Sequence, residues 1–277
     1  MTKKISAKAP VIKGKQYHID CGVKDVARCV LLPGDPARVG KIASLWDSAY
    51  EVANHREYHT MTGVMQGTPI SCTSTGIGAP SLAIAVEELS RIDVDTFIRV
   101  GTCGGIQKNQ KLGDVIISTG AVRLDGASRD YVIPEYPAVA QFEIVMALIA
   151  AADTLKIPHH VGITASTDTF YCGQGRFGYK DYFPSHKAHL LKDMQIAGVQ
   201  NFEMEASCLF TLASLFGKRA GAVCTVIANR VTNEFEITDE YQKRAGHVAS
   251  LAVHILNGWD KEKKKTKKQW MVPAIIK

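Results

Sequence analysis

The sequence lacks a hydrophobic run long enough to cross a membrane. Its best candidate, residues 146–152, is far shorter than the ~20 apolar residues that a spanning helix needs. No apolar segment follows the basic N-terminus, so we expect no secretion signal. The seven cysteines include no pair separated by two residues, which favours free thiols in a reducing compartment over a disulfide framework. These absences predict a cytoplasmic protein without a membrane partner.

The chain also lacks a proline- or serine-rich linker, an internal repeat and a break in composition between its two ends. We therefore expect one domain over residues 18–259, with a basic N-terminal extension at 1–17 and a lysine-rich C-terminal tail at 260–277. The net charge of +6 lies in the ends, because residues 1–18 and 260–277 carry +5 each and the rest carries −4. We expect the run 261–268 to be solvated and disordered; a weak attraction to polyanions is the alternative.

Short runs rich in β-branched and aromatic residues alternate with helical patterns, which predicts an α/β domain with an ample core. The predicted strands cover residues 29–32, 70–74, 96–100, 115–119, 162–165, 200–203 and 222–228. The predicted helices cover residues 36–46, 80–91, 140–154, 187–197, 205–216 and 238–256. The stretch 171–185 has many glycines and aromatics but no clear period, so we expect a functional or mobile loop there.

Two carboxylates frame a methionine at Glu203-Met204-Glu205, just before a long apolar run. Positions i and i+2 share a face of an extended chain, so both acids can converge on one small polar ligand. Ionised carboxylates only accept hydrogen bonds, which suits vicinal hydroxyls such as a ribose diol. In the alternative interpretation, one of the two acids only opens the helix predicted at 205–216, where an acid favours the helix dipole.

Strands that run directly into glycine-containing turns are candidate anion sites, because backbone N–H groups can face an anion there. In the first such turn, Gly34 leaves room for a ligand, Asp35 is a good helix cap, and Pro36 is a good first helical residue. Arg38 follows within the first helical turn, close to a helix N-terminus that favours anions. The alternative is an ordinary strand-to-helix turn.

A second strand-to-glycine turn has the glycine spacing of a dinucleotide-binding fingerprint at Gly76 and Gly78. Ser81 stands where the third glycine or alanine belongs, and Asp93 and Asp95 precede the next strand, whereas the fingerprint needs an acid at its end. The dinucleotide interpretation is therefore weak.

Arg99 interrupts an otherwise apolar strand, which is costly unless its charge is paired. Together with Thr102 and the amides of neighbouring glycines, it predicts an oxyanion pocket, because a guanidinium can bind phosphate through two hydrogen bonds. A structural ion pair is the alternative. For Cys103, in the same turn, we expect a small filler rather than a nucleophile, because no histidine is near it in sequence.

Eight segments resemble, in order and at similar spacing, those of the nucleoside phosphorylase-I family, and in particular of its uridine-cleaving members. They lie at residues 33–38, 55–58, 74–81, 97–102, 123–128, 164–176, 201–207 and 226–230, and the similarity covers roughly residues 18–257. The resemblance implies a single domain in which helices flank a central mixed β-sheet, distorted toward a barrel, and a hexamer built from three dimers. It also implies cleavage of uridine by inorganic phosphate to uracil and ribose 1-phosphate, without an organic cofactor.

The resemblance further implies a role for each matching residue. The phosphate site would comprise Gly34, Arg38, Arg56, Arg99 and Thr102, with Arg56 lent by the partner subunit across a dimer interface. The nucleoside site would comprise His18, Phe170, Gln174, Arg176, Glu203, Met204, Glu205 and Ile227, with His18 also supplied by the partner. Catalysis would rest on Arg99, Gln174, Arg176 and Glu205. In some members, the positions of Glu57, Ile77 and Ser81 hold a monovalent cation such as K+ at the dimer interface.

The choice of base can be argued from the pocket residues. Gln174 supplies a donor and an acceptor and Arg176 supplies only donors, which together fit the two carbonyls and one N–H of a uracil edge. Asn229 and Arg230 stand where purine-specific relatives place an aspartate. The alternative functions are a purine nucleoside phosphorylase, a hydrolytic nucleosidase of the same fold, and a nucleotide- or nucleic-acid-binding protein that uses the lysine tails. We expect no nucleic-acid partner.

Overall fold

The computed structural model describes residues 6–271, which form a single α/β domain. The strands are β1 (Val11–Ile12), β2 (Lys15–Gln16), β3 (Cys29–Pro33), β4 (Ser48–His55), β5 (Tyr58–Met65), β6 (Thr68–Thr73), β7 (Thr96–Gly105), β8 (Val115–Leu124), β9 (Ala138–Val139), β10 (His159–Thr167), β11 (Asn201–Glu203), β12 (Arg219–Asn229) and β13 (Glu234–Phe235). The helices are α1 (Ala37–Ala43), α2 (Ala79–Ser90), α3 (Ala127–Tyr131), α4 (Phe142–Thr154), α5 (Leu190–Ile196), α6 (Ala206–Leu215) and α7 (Asp239–Thr266).

Five strands close into a barrel-like ring in the order β12-β8-β10-β11-β7, because β7 pairs back to β12. β7 runs parallel to β12, and β10 runs parallel to both β8 and β11. From β7 the sheet continues outward through β3, β6, β5 and β4. The expected fold class, a mixed sheet distorted toward a barrel and flanked by helices, is confirmed.

The inner strands carry uninterrupted apolar runs because the protein covers both of their faces. Residues 30–32 of β3 and 115–117 of β8 are fully buried. Helix α4 packs on α7, and α2 packs on α6, to form the covering layers. Since β3, β7 and β12 run parallel to one another, their carboxyl ends meet at one edge of the sheet, where α/β proteins usually bind ligands.

All seven predicted strands are present, and β7 and β8 each run five residues further than predicted. The hairpin of β4 and β5 was missed, because the first four residues of β4 are exposed and give no apolar pattern. Arg56 and Glu57 lie in the turn of this hairpin, between two strands. Arg56 is exposed within its own chain.

Helix α7 departs most from the sequence-based expectations. It was predicted to end at residue 256 but continues to Thr266, so the expected disorder of the run 261–268 is wrong up to that residue. Residues 1–5 of the basic extension and 272–277 of the tail lie outside the described residues. Within the described part of the chain, no helix is both long and apolar enough to span a membrane.

Contacts with α4 hold the end of α7 in place. Lys263 Nζ lies 2.7 Å from Glu143 Oε2 on α4 and 2.9 Å from Asp260 Oδ1 on α7 itself. Beyond the helix, Trp270 packs against Phe142, with ring centroids 5.2 Å apart. Glu143 and Phe142 are far from Lys263 and Trp270 in sequence, which explains why local patterns did not predict the extension.

Candidate active site

A cavity of about 1150 Å³ opens at the carboxyl ends of β3, β7 and β12. It brings together most of the residues expected from the sequence. These are Gly34, Arg38, Ile77, Arg99, Thr102, Phe170, Gln174, Arg176, Glu203, Met204, Glu205 and Ile227. They come from six separate segments of the chain, so the fold assembles the site from parts that are distant in sequence.

The guanidinium of Arg99 is buried on β7 and binds both acids of the Glu203-Met204-Glu205 segment. Its Nε donates to Glu203 Oε2 at 2.7 Å, and its Nη2 forms an ion pair with Glu205. Burial alone would lower the pKa of Arg99, but Glu205 and Glu203 outweigh burial and raise it above its ordinary value. Arg99 therefore stays charged inside the protein. It forms a structural ion pair and also lines the cavity, so the two interpretations of this residue apply together.

Glu203 organises this part of the pocket and also begins helix α6. In addition to Arg99, it accepts hydrogen bonds from Ser166 Oγ and from the backbone N–H groups of Glu205 and Ala206, at 2.9 and 3.0 Å. The alternative interpretation gave a helix-opening role to one of the two acids, and that acid is Glu203, since the Glu205 side chain forms no cap hydrogen bond. Glu203 takes that role because its carboxylate reaches the free N–H groups at the start of the helix.

Glu205 has fewer protein partners than Glu203. Its Oε1 accepts a 2.5 Å hydrogen bond from the Gly78 backbone N–H, and its Oε2 faces Arg99 as an ion pair. Oε2 is buried but has no hydrogen-bond donor of good geometry among residues 6–271. Burial raises the pKa of this carboxyl, although Arg99 opposes the shift. This oxygen is therefore available to accept hydrogen bonds from ligand hydroxyls.

The Nη1 atom of Arg99 is buried and has no hydrogen-bond partner within the described residues. A Cβ at Gly34 would lie 4.0 Å from this atom and 3.0 Å from Gly76 O, so any side chain there would occupy the space beside the guanidinium. Burial lowers the pKa of nearby Arg38, and the charge of Arg99 adds to this effect. An unpaired buried donor beside a second cation is an arrangement that a bound anion would satisfy.

The loop between β10 and α5 supplies a second part of the cavity. Arg176 Nη1 donates to Gln174 Oε1 at 2.5 Å and to Phe170 O at 2.9 Å, and its guanidinium lies 4.0 Å from the centre of the Phe170 ring. Burial and then the charge of Arg230 lower the pKa of Arg176 to about 10. Arg230 fixes the loop by donating to the carbonyls of Gln174 and Gly175, at 2.8 and 3.1 Å. The amide of Gln174, the guanidinium of Arg176 and the ring of Phe170 thus line the same part of the cavity.

Four of the expected site residues do not line the cavity within a single chain, namely His18, Arg56, Glu57 and Ser81. His18 Nδ1 lies 2.6 Å from the buried carboxylate of Glu88, which also accepts from the His18 backbone N–H at 3.0 Å. Arg56 donates to Tyr17 Oη at 3.2 Å and stacks over its ring. Tyr17 and His18 are consecutive, so these contacts keep His18 and Arg56 in one region of the surface.

The residues whose hydrogen bonds support Glu203 were not predicted from the sequence. Ser166 Oγ donates to Glu203 and accepts from the Ser207 backbone N–H at 2.9 Å. Ser207 Oγ in turn donates to the buried carboxylate of Asp125. No local signal marks these residues, because each partner lies at least 37 positions away in the chain.

The glycine turn at Gly76 and Gly78 and the thiol of Cys103 have structural roles. The Gly78 N–H binds Glu205, and both glycines have positive φ angles, 70° and 98°, that disfavour other residues. Cys103 is buried and packs with Ile116, Cys224 and Val226. Burial raises the pKa of its thiol, in agreement with the expectation of a small filler.

The closed mixed sheet and this cavity define an α/β enzyme in which an anion and a polyhydroxylated ligand can lie side by side. The chain belongs to the Phosphorylase superfamily, whose family model matches residues 28–257. Enzymes of this superfamily use phosphate as a co-substrate and no organic cofactor.

Relatives with assigned names match nearly the whole chain. It is 57% identical over 274 residues to a uridine phosphorylase of Thermococcus kodakarensis, a match that covers 99% of this chain and 98% of the relative. It is 41% identical over 244 residues to a uridine phosphorylase of Escherichia coli, covering 87% of this chain and 96% of the relative. A guanosine phosphorylase of Halorubrum lacusprofundi is 38% identical over 244 residues, with the same coverage.

The support that Ser166 gives to Glu203 leads to a prediction. Replacing Ser166 with alanine should reduce stability by about 1–3 kcal/mol, because it leaves buried groups without partners. It should also raise the phosphate concentration needed for half-maximal activity, because Glu203 would no longer hold Arg99 in one position. Phosphate titrations and thermal unfolding of the variant measure both effects.

Ser250→Ala is a matched control. Ser250 is equally buried and accepts a 2.9 Å hydrogen bond from Trp46 Nε1, but it lies on α7, away from the cavity. It should lose comparable stability and keep the wild-type phosphate dependence. If both variants show the same phosphate dependence, Ser166 does not position the site.

Proposed function

We propose that this protein is a uridine phosphorylase, a pentosyltransferase that cleaves the N-glycosidic bond of uridine with inorganic phosphate, giving uracil and ribose 1-phosphate. The reaction would serve pyrimidine nucleoside catabolism or salvage in the cytoplasm. The observation that carries the proposal is the shared guanidinium of Arg99, whose Nη1 is free for an anion while Nε and Nη2 hold Glu203 and Glu205. Phosphate and a ribose diol bound at these groups would be neighbours, as attack on C1′ requires.

The proposed mechanism works by positioning and electrostatics. Phosphate would bind to Arg38, Arg99 and Thr102, in the space that Gly34 leaves open, and the ribose hydroxyls would donate to Glu205. A phosphate oxygen attacks C1′ as the bond to the base lengthens and the sugar gains oxocarbenium character. No general base is needed, because the nucleophile is already an anion, and the phosphate charge balances the positive sugar.

The departing uracil would be bound by the loop between β10 and α5. Gln174 offers an amide N–H₂ and a carbonyl oxygen to the uracil edge, and Arg176 offers donors to charge that develops on the leaving base. Phe170, Met204 and Ile227 would pack against the apolar faces of the nucleoside. Because Arg176 and Gln174 already hold each other at 2.5 Å, both groups are in place before the substrate binds.

A purine nucleoside is the second candidate substrate, because one relative is named a guanosine phosphorylase. A purine leaves best when N7 is protonated, which an acid near the base would assist. Asn229 stands in the segment that would carry such an acid, and its side chain is committed to a turn. Its Nδ2 donates to Gln110 O at 2.7 Å, and its Oδ1 accepts from the Val231 N–H at 2.8 Å. This commitment favours a pyrimidine.

Release of free base from uridine, measured with and without phosphate, tests the proposed function, with inosine and thymidine assayed alongside. We expect uracil only when phosphate is present, and the loss of most of this turnover in Arg99→Ala. Arg176→Ala should mainly slow departure of the base, which lowers kcat more than it raises KM for phosphate. Uracil release that is equal without phosphate would mean a hydrolase, and preferential cleavage of inosine would mean a purine enzyme.

We further propose that a second copy of the chain completes the site, within a hexamer built from dimers. His18 and Arg56 lie outside the cavity of their own chain, and large apolar side chains around the cavity mouth are exposed, including Ile77 at 78% and Phe177 at 64%. Exposed apolar groups next to a site are typical of an interface. The partner's Arg56 would add a third guanidinium to the phosphate site, and the partner's His18 would reach the ribose.

A monovalent cation such as K+ would bind at the same interface, to Glu57, Ile77 and Ser81. Ser81 Oγ lies 3.4 Å from Ile77 O, and a Cβ at Gly76 would touch both Glu57 and Ser81, so the three residues surround one turn. The atoms that these residues offer to a cation are all oxygens, which suits a hard cation. Dimers should accordingly dissociate less readily in potassium chloride than in choline chloride.

Co-expression of two inactive variants tests whether Arg56 acts across the interface. A subunit with Arg56→Ala keeps an intact cavity but supplies no Arg56 to its partner. A subunit with Arg99→Ala has a defective cavity but supplies a normal Arg56 to its partner. A mixed dimer would therefore contain one complete site, and random pairing should restore about a quarter of wild-type activity. Activity no greater than that of the two separate variants would mean that Arg56 acts only within its own chain.

A further inference from the structure

A second cavity, of about 470 Å³, lies at the amino ends of the strands whose carboxyl ends form the candidate active site. Arg28 and Cys29 at the start of β3, Thr96 at the start of β7 and Arg219 at the start of β12 form its strand side. The last turns of α7 and the residues after it form the other side. The volume is within the usual range of ligand pockets, about 300–1000 Å³.

The side chains that line this cavity carry more positive than negative charge. Five basic side chains line it, namely Arg28, Arg219, Lys263, Lys264 and Lys268, against the two acids Asp95 and Asp260. Arg219 is held by Asp260, with bonds of 3.0 and 2.8 Å, and Arg28 pairs with Asp95. Lys264 and Lys268 form no ion pair or side-chain hydrogen bond with residues 6–271. The lining therefore has a positive excess that the protein itself does not neutralise.

The backbone that carries Lys264 and Lys268 is held in place before any ligand binds. Lys267 adopts a left-handed conformation, with φ of 56°, and ends α7, which turns the chain toward α4. The backbone N–H of Met271 then donates to Glu143 Oε1 at 2.7 Å, while Lys263 binds the same carboxylate. Because both ends of the short segment around Lys268 are fixed, the backbone of this lysine is kept beside the cavity.

The remaining residues of the cavity indicate which chemical group could accompany the anion. Exposed Pro69 lines the cavity beside the edges of Val253 and Leu256, which are otherwise buried in the core, and Asn257 adds an amide whose Nδ2 donates to Thr68 Oγ1 at 3.1 Å. A single phosphate ion would leave most of a 470 Å³ space unused. A nucleoside triphosphate has both an oligophosphate for the lysines and Arg28 and a flat ring that can lie against Pro69.

We propose that this cavity is a second ligand site, distinct from the candidate active site, that binds a nucleoside triphosphate or a similar small oligophosphate. Lys264, Lys268 and Arg28 bind the phosphate groups, and the ring lies against Pro69. A nucleic-acid polymer is the less suitable ligand, because it would reach the exposed lysines of α7 without entering the cavity. The proposal concerns binding and does not depend on the reaction catalysed at the other edge of the sheet.

Isothermal titration of the full-length protein with ATP, and separately with tripolyphosphate, tests this site. Lys264→Ala/Lys268→Ala and Arg28→Ala should each weaken ATP binding by about tenfold or more, because each removes phosphate contacts. Lys261→Ala/Lys265→Ala is the matched control, since it removes the same charge from the same end of the described chain, at exposed positions that do not line the cavity. The control should bind ATP as the wild type does.

Four results would overturn the proposal. The first is no ATP binding by the wild type. The second is equal weakening of ATP binding in the control, which would mean non-specific attraction to a basic tail. The third is tighter binding of duplex DNA that Arg28→Ala leaves unchanged. The fourth is loss of ATP binding in Arg99→Ala, which would place the ligand in the active-site cavity. Thermal unfolding of each variant verifies that it is folded.

Discussion

The buried guanidinium of Arg99 is the interaction on which the rest of the site depends. A charge inside the protein is tolerated only when it is paired, so β7 can carry this arginine only because Glu203 and Glu205 bind it. Glu203 also holds the first N–H groups of α6, and Glu205 holds Gly78 at the start of α2. One ion-pair cluster thus joins two strands and two helices, and it fixes the pocket before any ligand binds.

Much of this site could be predicted from single segments of the sequence, but the partnership between them could not. The i, i+2 spacing indicated that Glu203 and Glu205 can converge on one partner, and both bind Arg99; the cost of an unpaired charge correctly indicated that Arg99 has a partner. The two observations concern the same cluster, yet 104 residues separate Arg99 from Glu203. The supports behind Glu203, Ser166 and Ser207, are ordinary serines whose role appears only when the strands are assembled.

The fold itself was predictable where burial creates an apolar pattern and not where other forces act. Strands covered on both faces were found, whereas β4 was missed because its exposed residues carry no such pattern. The end of α7 was missed because it is held by Lys263 binding Glu143, a contact between residues 120 positions apart. The same extension carries basic side chains of the second cavity, so the wrong expectation of disorder concealed the second ligand site that we propose. The parallel strands β3, β7 and β12 connect that cavity directly to the active-site edge.

The most direct test of this account is the affinity of the Arg99→Lys variant for phosphate, measured by calorimetry. Lysine keeps the positive charge but cannot hold Glu203, Glu205 and an anion at once, because it lacks the planar fork of the guanidinium. If the shared guanidinium organises the site, the variant should fold but bind phosphate at least about tenfold more weakly than wild type. Unchanged phosphate affinity in a folded Arg99→Lys protein would show that charge alone is enough and would contradict the account.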